Sequence, residues 1–383
     1  MIRVGLPALG GPAWQGGRNY LWNLLRALMS LPPHEVQPVL LCHRGEGGDL
    51  RLPGVAVAER SGLLAHLRAQ RIGSVGRRLF GLDVVEELWL RDAGVDVYSH
   101  GRPLGRSRIP WIYWIYDLQH RAHPEFFSKA EVRSRDAAIA CAARYASLLV
   151  TSNAGERQQL SRLFGVALDR IRVLQFVSGL RVPLASLPSR AALTSRLGLP
   201  ARYFHLPNQL WKHKNHAVVL DALALAPDVS VVATGAQEDY RHPGLYQALL
   251  ERAAHLGLGS RFRHLGMVPH DELLALMQHS VAVVNPSLFE GWSSTVEEAK
   301  TLGKQVLLSD IPVHREQAPE RVRFFAPHDA SSLAALLNEA LDSVDPGHEA
   351  AAQARAASSL PAREQVFGAT YLDIVRAAVA RPH

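Results

Sequence analysis

Val281-Ala-Val-Val-Asn-Pro-Ser-Leu-Phe-Glu-Gly-Trp-Ser-Ser-Thr-Val-Glu-Glu-Ala-Lys-Thr-Leu-Gly-Lys-Gln-Val-Leu-Leu308 reads as strand, tight loop, short helix and strand. The loop carries Glu290, Gly291, Ser293, Ser294 and Thr295, and the helix carries Glu297 and Glu298. In an open α/β sheet the loop after a strand and the start of the next helix form the usual ligand crevice. Free backbone N–H groups and small hydroxyls suit a phosphate there. Carboxylates suit sugar hydroxyls, because each accepts two hydrogen bonds from a diol. The stretch is half phosphate site and half sugar site.

The rest of the chain sets bounds on that reading. Its 383 residues exceed one ordinary core, so two domains of similar size are expected. With 48% hydrophobic and 20% charged residues the composition is that of a folded globular protein. The net charge of +7 comes mostly from scattered arginine; lysine occurs only at Lys129, Lys212, Lys214, Lys300 and Lys304. No ladder of interleaved aromatic and basic residues appears, which argues against nucleic acid as a partner. Cys42 and Cys141 are too few and too far apart for a disulfide framework, and a cytoplasmic location fits. The histidines lack the spacing of two on one turn with a glutamate that marks a zinc hydrolase. No segment has the length and apolarity of a signal peptide or membrane span.

In the first half, the strand Ile2 to Leu9 leads into Gly10, Gly11, Gly16 and Gly17, with a helix expected from about Gly17. That order suits a diphosphate on a helix N-terminus, or a plain glycine-rich connection. The glycine spacing is not the nicotinamide fingerprint, and the second strand, Val36 to Cys42, ends in His43-Arg44 with no acidic residue for a ribose. These features argue against a dehydrogenase. Arg60 to Leu82, with Arg68, Arg71, Arg77 and Arg78, suits either a solvated helix face or peripheral contact with an anionic inner membrane face. The strand Pro110 to Tyr116 delivers Asp117 and His120, candidates for sugar hydroxyls; a turn cap and a surface imidazole are the plain alternatives. The domain junction is expected between Ser178 and Leu199.

The second half restarts the alternation. Tyr203 to Leu206 leads into Pro207-Asn-Gln-Leu-Trp-Lys-His-Lys214, where Lys212 and Lys214 are placed to neutralise a diphosphate. Val229 to Thr234 ends at Gly235, and Phe262 to Pro269 is strand then loop. A terminal helix is expected over Arg363 to Ala378. The alternation predicts an α/β chain of two doubly wound, Rossmann-like domains facing one another across a cleft. Their expected bounds are 1–180 and 200–360, with 361–383 packing back toward the first.

Phe289-Glu-Gly-Trp-Ser-Ser-Thr-Val-Glu-Glu298 resembles the paired-glutamate motif of the retaining family-4 glycosyltransferases with the GT-B fold. The resemblance extends, less specifically, over nearly the whole chain. It implies that Glu298 binds a nucleotide ribose and that Glu290 touches the donor sugar where the diphosphate departs. Gly291, Ser293, Ser294 and Thr295 would contact sugar and phosphate. Lys214 would stabilise the diphosphate, and Gly16 or Gly17 would let the backbone approach it. Met267 or Val268 would border the base, with Gly235 shaping the same pocket. Two departures stand out: Gln209 occupies the position five before the lysine where the family usually has arginine, and His120 lies a few residues beyond the usual histidine. Lys212 is a candidate for the missing charge. The implied activity is transfer of a sugar from a nucleotide-diphosphate-sugar to a glycan, lipid-linked or small-molecule acceptor hydroxyl, with retention and without cofactor or metal. It belongs to polysaccharide or glycoconjugate synthesis. A GT-B nucleotide-sugar epimerase and a catalytically silent sugar-nucleotide-binding scaffold are the alternatives.

Overall fold

The structure, a computed structural model, describes residues 1–10, 14–60 and 81–381. Arg68, Arg71, Arg77 and Arg78, and with them most of the basic stretch read as a solvated helix face or a membrane contact, lie outside the described residues. The chain divides into two units. The first is Met1–Leu118, Lys129–Val177 and Ala362–His383; the second is Gln119–Ser128 and Ser178–Pro361.

Among the described residues the first unit is built on seven parallel strands: β1 (Ile2–Pro7), β2 (Val36–His43), β3 (Ala56–Arg60), β4 (Val97–Ser99), β5 (Trp111–Trp114), β6 (Leu148–Thr151) and β7 (Ile171–Val173). Their order is β3-β2-β1-β4-β5-β6-β7. Such strands are covered on both faces, which is why Leu148-Leu-Val-Thr151 is buried throughout rather than alternating. The helix Ala154–Phe164 is capped by Asn153, whose side chain accepts from the Glu156 N–H.

The second unit carries β8 (Phe204–Leu206), β9 (Val231–Ala233), β10 (Phe262–His264), β11 (Val283–Asn285), β12 (Val306–Ser309) and β13 (Val322–Phe325). All are parallel, in the order β10-β9-β8-β11-β12-β13. This is the doubly wound Rossmann order, and its direction reverses between β8 and β11. Each unit is thus a Rossmann-like parallel α/β domain.

Three features depart from the sequence reading. The junction holds a helix, Arg190–Leu197, capped by Ser189 and ended by Gly198 in the left-handed region. Its Leu193, with Leu187 and Leu199, packs into the core formed by Val283 and Val306. Residues 119–128 belong to the second unit, because Phe126 and Phe127 pack against Lys212 and Arg241. Finally, the terminal helix runs over Pro346–Ala380 and passes through Pro361. An interior proline costs about 3 kcal/mol and usually ends a helix. Packing on both sides of it offsets that: Ala352, Ala356 and Leu360 are buried before it, and Phe367, Tyr371 and Val375 after it. Within the first unit, Glu364 pairs with Arg26 at 3.1 Å, and a Cβ at Gly368 would sit 2.7 Å from the Ala27 carbonyl oxygen.

Candidate functional site

The loops leaving β8 and β11 meet at the reversal point of the second sheet. After β8 the chain makes a single 3-10 turn, Lys212–Lys214, and enters the helix His216–Leu225 through Asn215 in the left-handed region. The Asn215 side chain donates to the carbonyls of Pro286 (3.2 Å) and Pro327 (2.7 Å), which fixes the turn against the glutamate loop. The Leu288 N–H adds a bond of 2.8 Å to the His213 carbonyl. After β11 the loop ends at Ser293, which caps the helix Ser294–Thr301 through the Val296 N–H.

This geometry brings Lys214 Nζ to 2.6 Å from Glu290 Oε1. The same oxygen accepts from Ser287 Oγ at 2.7 Å and faces Asn285 Nδ2 at 3.5 Å. Burial pushes the Glu290 carboxyl up, but Lys214, with His314 and the Ser287 hydroxyl, outweighs it and holds the group below the usual carboxylate range. The two other N–H groups of Lys214 have no partner among the described residues, so the ammonium keeps donors for further oxygens. Beneath the pair, Asn285 Nδ2 donates to Ser293 Oγ (2.9 Å), and Asn208 Nδ2 donates to Asn285 Oδ1 (3.0 Å). Thr295 Oγ1 closes the network on Asn208 Oδ1 at 3.3 Å. Connected polar groups in a buried site rigidify one another, and here they fix the two loops in one arrangement.

Glu297 and Glu298 are neighbours with different surroundings. Glu297 is taken up by Lys300 Nζ and Gln317 Nε2, both at 3.1 Å, and Gln317 also bridges to the Ser293 backbone. It braces the loop. Glu298 instead receives His270 Nε2 at 2.9 Å on one oxygen, and its other oxygen has no partner among the described residues.

Around this centre the remaining candidates take separate places. Gly235, at φ +139, lies so close to the β8 loop that a Cβ would meet the Asn208 carbonyl oxygen at 2.6 Å; only glycine fits. Its N–H donates to the Gly266 carbonyl at 2.9 Å, which ties it to the loop of Met267, half exposed, and Val268. Lys212 is exposed and holds its ammonium 5.6 Å from the Phe126 ring centre. Gln209 is partly buried. Arg241, unmarked by the sequence reading, stacks on Phe127 and Trp211 and pairs with Asp239, whose other oxygen accepts from the Lys212 N–H. It anchors the lysine turn. Burial pushes His213 well below its ordinary value, helped by Lys214 and Arg241, so its ring is neutral. Gly291 and Thr295 are buried and Ser294 is partly so.

The first unit holds the other candidates. The helix Gln15–Met29 begins at Trp14, and the Trp14 indole folds over Gly17, where a Cβ would meet the ring at 2.7 Å. Gly16 has open space apart from the indole nitrogen at 3.8 Å. Gly17 is therefore required by its own neighbour. Trp14 stacks on Trp114 (6.2 Å), and Trp114 on Tyr20 (4.2 Å), whose hydroxyl bonds His100 Nε2 at 2.7 Å. Asp117 pairs with Arg135 at 2.7 Å, whose guanidinium also lies over Tyr116. His120 falls in the second unit, fully buried beside Phe127. The sequence candidates Asp117 and His120 thus stand in different units. Among the described residues, no group of three His, Cys, Asp or Glu side chains is placed to hold a metal ion. No helix among them is long and apolar enough to cross a membrane.

Residues 200–357 match the family described as "Glycosyl transferases group 1", over the segment that contains Lys214, Glu290 and Glu298. A glycogen synthase of Mycobacterium tuberculosis is 26% identical over 260 residues, 65% of this chain. The match spans 57% of that enzyme's length. The O-antigen chain mannosyltransferase RfbU of Salmonella typhimurium is 27% identical over 131 residues, 34% of this chain and 36% of that protein. Among solved structures, Anabaena HepE in complex with UDP and glucose shares the fold at a TM-score of 0.68 and 17% identity, covering 98% of this chain and 100% of that one. The sucrose-phosphate synthase of Thermosynechococcus elongatus gives 0.69 and 15% over 98% of this chain and 100% of that one. The fold is that of the GT-B glycosyltransferases.

The sequence marked Lys214, Glu290 and Glu298 but passed over their partners. Asn208, Asn285 and Ser287 lie inside quoted stretches, and their position at strand ends was a usable signal. His270 and Gln317 carried none, because each meets its partner only through the sheet order.

Proposed function

We propose that the protein is a retaining glycosyltransferase that moves a sugar from a nucleotide-diphosphate-sugar to an acceptor hydroxyl, in polysaccharide or glycoconjugate synthesis. The observation that carries this is the ion pair of Lys214 with Glu290, on the two loops that flank the reversal point, one helical segment from Glu298. The barrier to glycosyl transfer lies in separating a sugar cation from a diphosphate anion. Fixed positive groups aimed at the leaving oxygens lower it. Lys214 would supply that charge, together with the N-terminus of the helix Ser294–Thr301, without a divalent metal. Glu290 would face the sugar cation. Three donors converge on one of its oxygens and its pKa is depressed, which favours electrostatic support over a role as covalent nucleophile. The acceptor proton would then pass to the departing phosphate on the same face of the sugar, giving retention. The UDP and glucose held by Anabaena HepE support a donor of this chemical class.

A second reading, a nucleotide-sugar-binding subunit without turnover, draws on Gln209 in the usual arginine position and on Lys212 lying against Phe126. A thermal-shift screen with UDP-, GDP-, ADP- and dTDP-sugars, followed by product NMR at the anomeric proton, separates the two. Stabilisation with sugar transfer at unchanged anomeric configuration, in EDTA as well as without it, is the expected result. Inversion would refute the stereochemistry, and binding without transfer would favour the subunit.

A further inference from the structure

We propose that His270 is a positioning residue that makes the donor site selective for ribonucleotides over 2′-deoxyribonucleotides. The proposal rests on the reading of Glu298 as the ribose carboxylate. His270 is the first residue of the helix His270–His279, directly after the loop of Gly266, Met267, Val268 and Pro269. Its Nε2 lies 2.9 Å from Glu298 Oε1. A carboxylate offers acceptors only, so the hydrogen of this bond sits on Nε2. The Glu298 side chain is nearly buried, at 7% exposure, while His270 keeps 20%.

The last torsion of a glutamate is broad and roughly two-fold, so an unbraced carboxylate turns to meet whatever donor is present. The bond from His270 removes that freedom. It occupies one lone pair of Oε1 and sets the carboxylate plane, while Oε2, without a partner among the described residues, stays available. A ribose 2′,3′-diol presents two hydrogens side by side and needs two oxygens in a fixed plane. A 2′-deoxyribose presents one, and gains little from the preset plane. His270 also joins the two halves of nucleoside recognition. The loop before it is pinned through the Gly235 N–H to the Gly266 carbonyl at 2.9 Å, so a base bordered by that loop and a ribose on Glu298 are held in one register.

Calorimetry on the full chain tests this with UDP, GDP and ADP, and with the 2′-deoxy form of each. The parent is expected to bind the ribonucleoside diphosphate of its preferred base at least about tenfold tighter, the scale of one hydrogen bond to a charged group. In His270→Ala the preference should narrow to within about threefold, mostly through weaker ribonucleotide binding. In His270→Gln, whose amide nitrogen stands the same number of bonds from Cα as Nε2, the preference should return. Equal weakening of both forms in His270→Ala, or no change, overturns the positioning role, since a merely structural histidine would lower melting temperature and affinity without moving the ratio. If the parent binds none of the six, this inference fails; if it binds no dTDP either, the nucleotide-sugar reading fails with it.

Discussion

The two sheets run through the same reversal of strand order, yet their reversal points are finished in different chemistry. In the second unit the loops after β8 and β11 are joined by an ion pair, Lys214 with Glu290, and by a chain of amide and hydroxyl bonds under it. In the first unit, β4 is followed by His100, and around it stand Tyr20 and Trp114, stacked at 4.2 Å with an interplanar angle of 8°. One end is polar and fixed by charge; the other is aromatic and fixed by rings. The fold supplies two crevices, and only the side chains decide what each is for.

The comparison breaks most visibly at Lys214. Lys214→Ala is expected to lower turnover by about two orders of magnitude, the scale of losing one transition-state donor. Transfer rates with the best donor from the nucleotide-sugar screen measure it, beside circular dichroism to show the fold intact. A rate within threefold of the parent removes Lys214 from the mechanism. Because Asn285 and Ser287 still reach Glu290, the loop itself should hold its shape in this variant.

Acid tests both units together. Burial lowers the pKa of His100 in the first unit, and of His205 and His216 in the second, to about 3. Their unfolded value is about 6.5, so between these limits the unfolded chain binds more protons than the folded one. The stability they contribute is fully present above pH 6.5 and is lost as pH falls toward 3, at up to about 1.4 kcal/mol per pH unit per group. Glu290, also depressed, adds a further loss in the same direction, below the ordinary carboxylate range. Melting temperature measured from pH 7 to pH 3 should therefore fall, and Glu290→Gln should flatten the part of the curve below about pH 4.3. A melting temperature that holds constant between pH 7 and pH 4 contradicts the burial of all three imidazoles.

The aromatic end is sharpened by its glycines. Gly17→Ala should cost roughly 1–3 kcal/mol, because the new methyl meets the Trp14 ring. Adding Trp14→Ala should recover most of that cost, a coupling that denaturant unfolding reads as a double-mutant cycle. Gly16→Ala has room and should change stability by less than about 0.5 kcal/mol. Additive costs at positions 14 and 17 would mean that the indole does not explain Gly17.

What was legible in the sequence followed locality. Lys214 and Glu290 stand at strand ends in strand–loop–helix units, and lysine is rare enough in this chain to be noticed there. The doubly wound architecture was legible for the same reason, since apolar runs and helical spacing repeat along the chain. His270 was silent because its partner lies 28 positions away and only the sheet order brings them together. The grouping of residues 119–128 with the second unit was silent too, as it depends on Phe126 and Phe127 meeting Lys212 and Arg241. Gly17 was legible as a glycine, but the sequence shows only the missing Cβ and not the Trp14 indole that leaves no room for one. The terminal helix, expected from Arg363, instead runs from Pro346 through Pro361, because tertiary packing outweighs the local propensity that a sequence displays.

The long terminal helix bears on the order in which the protein is made. Phe367, Tyr371, Val375 and Ala378 are fully or almost fully buried in the first unit, whose other pieces lie before residue 178. A ribosome therefore delivers every strand of the first sheet long before the residues that seal its core. The second unit, complete by Pro361, has all its parts earlier than the unit that precedes it. During synthesis the aromatic end around Tyr20 and His100 waits without its Tyr371 and Phe367 neighbours, and exposed apolar surface of that kind is what chaperones bind.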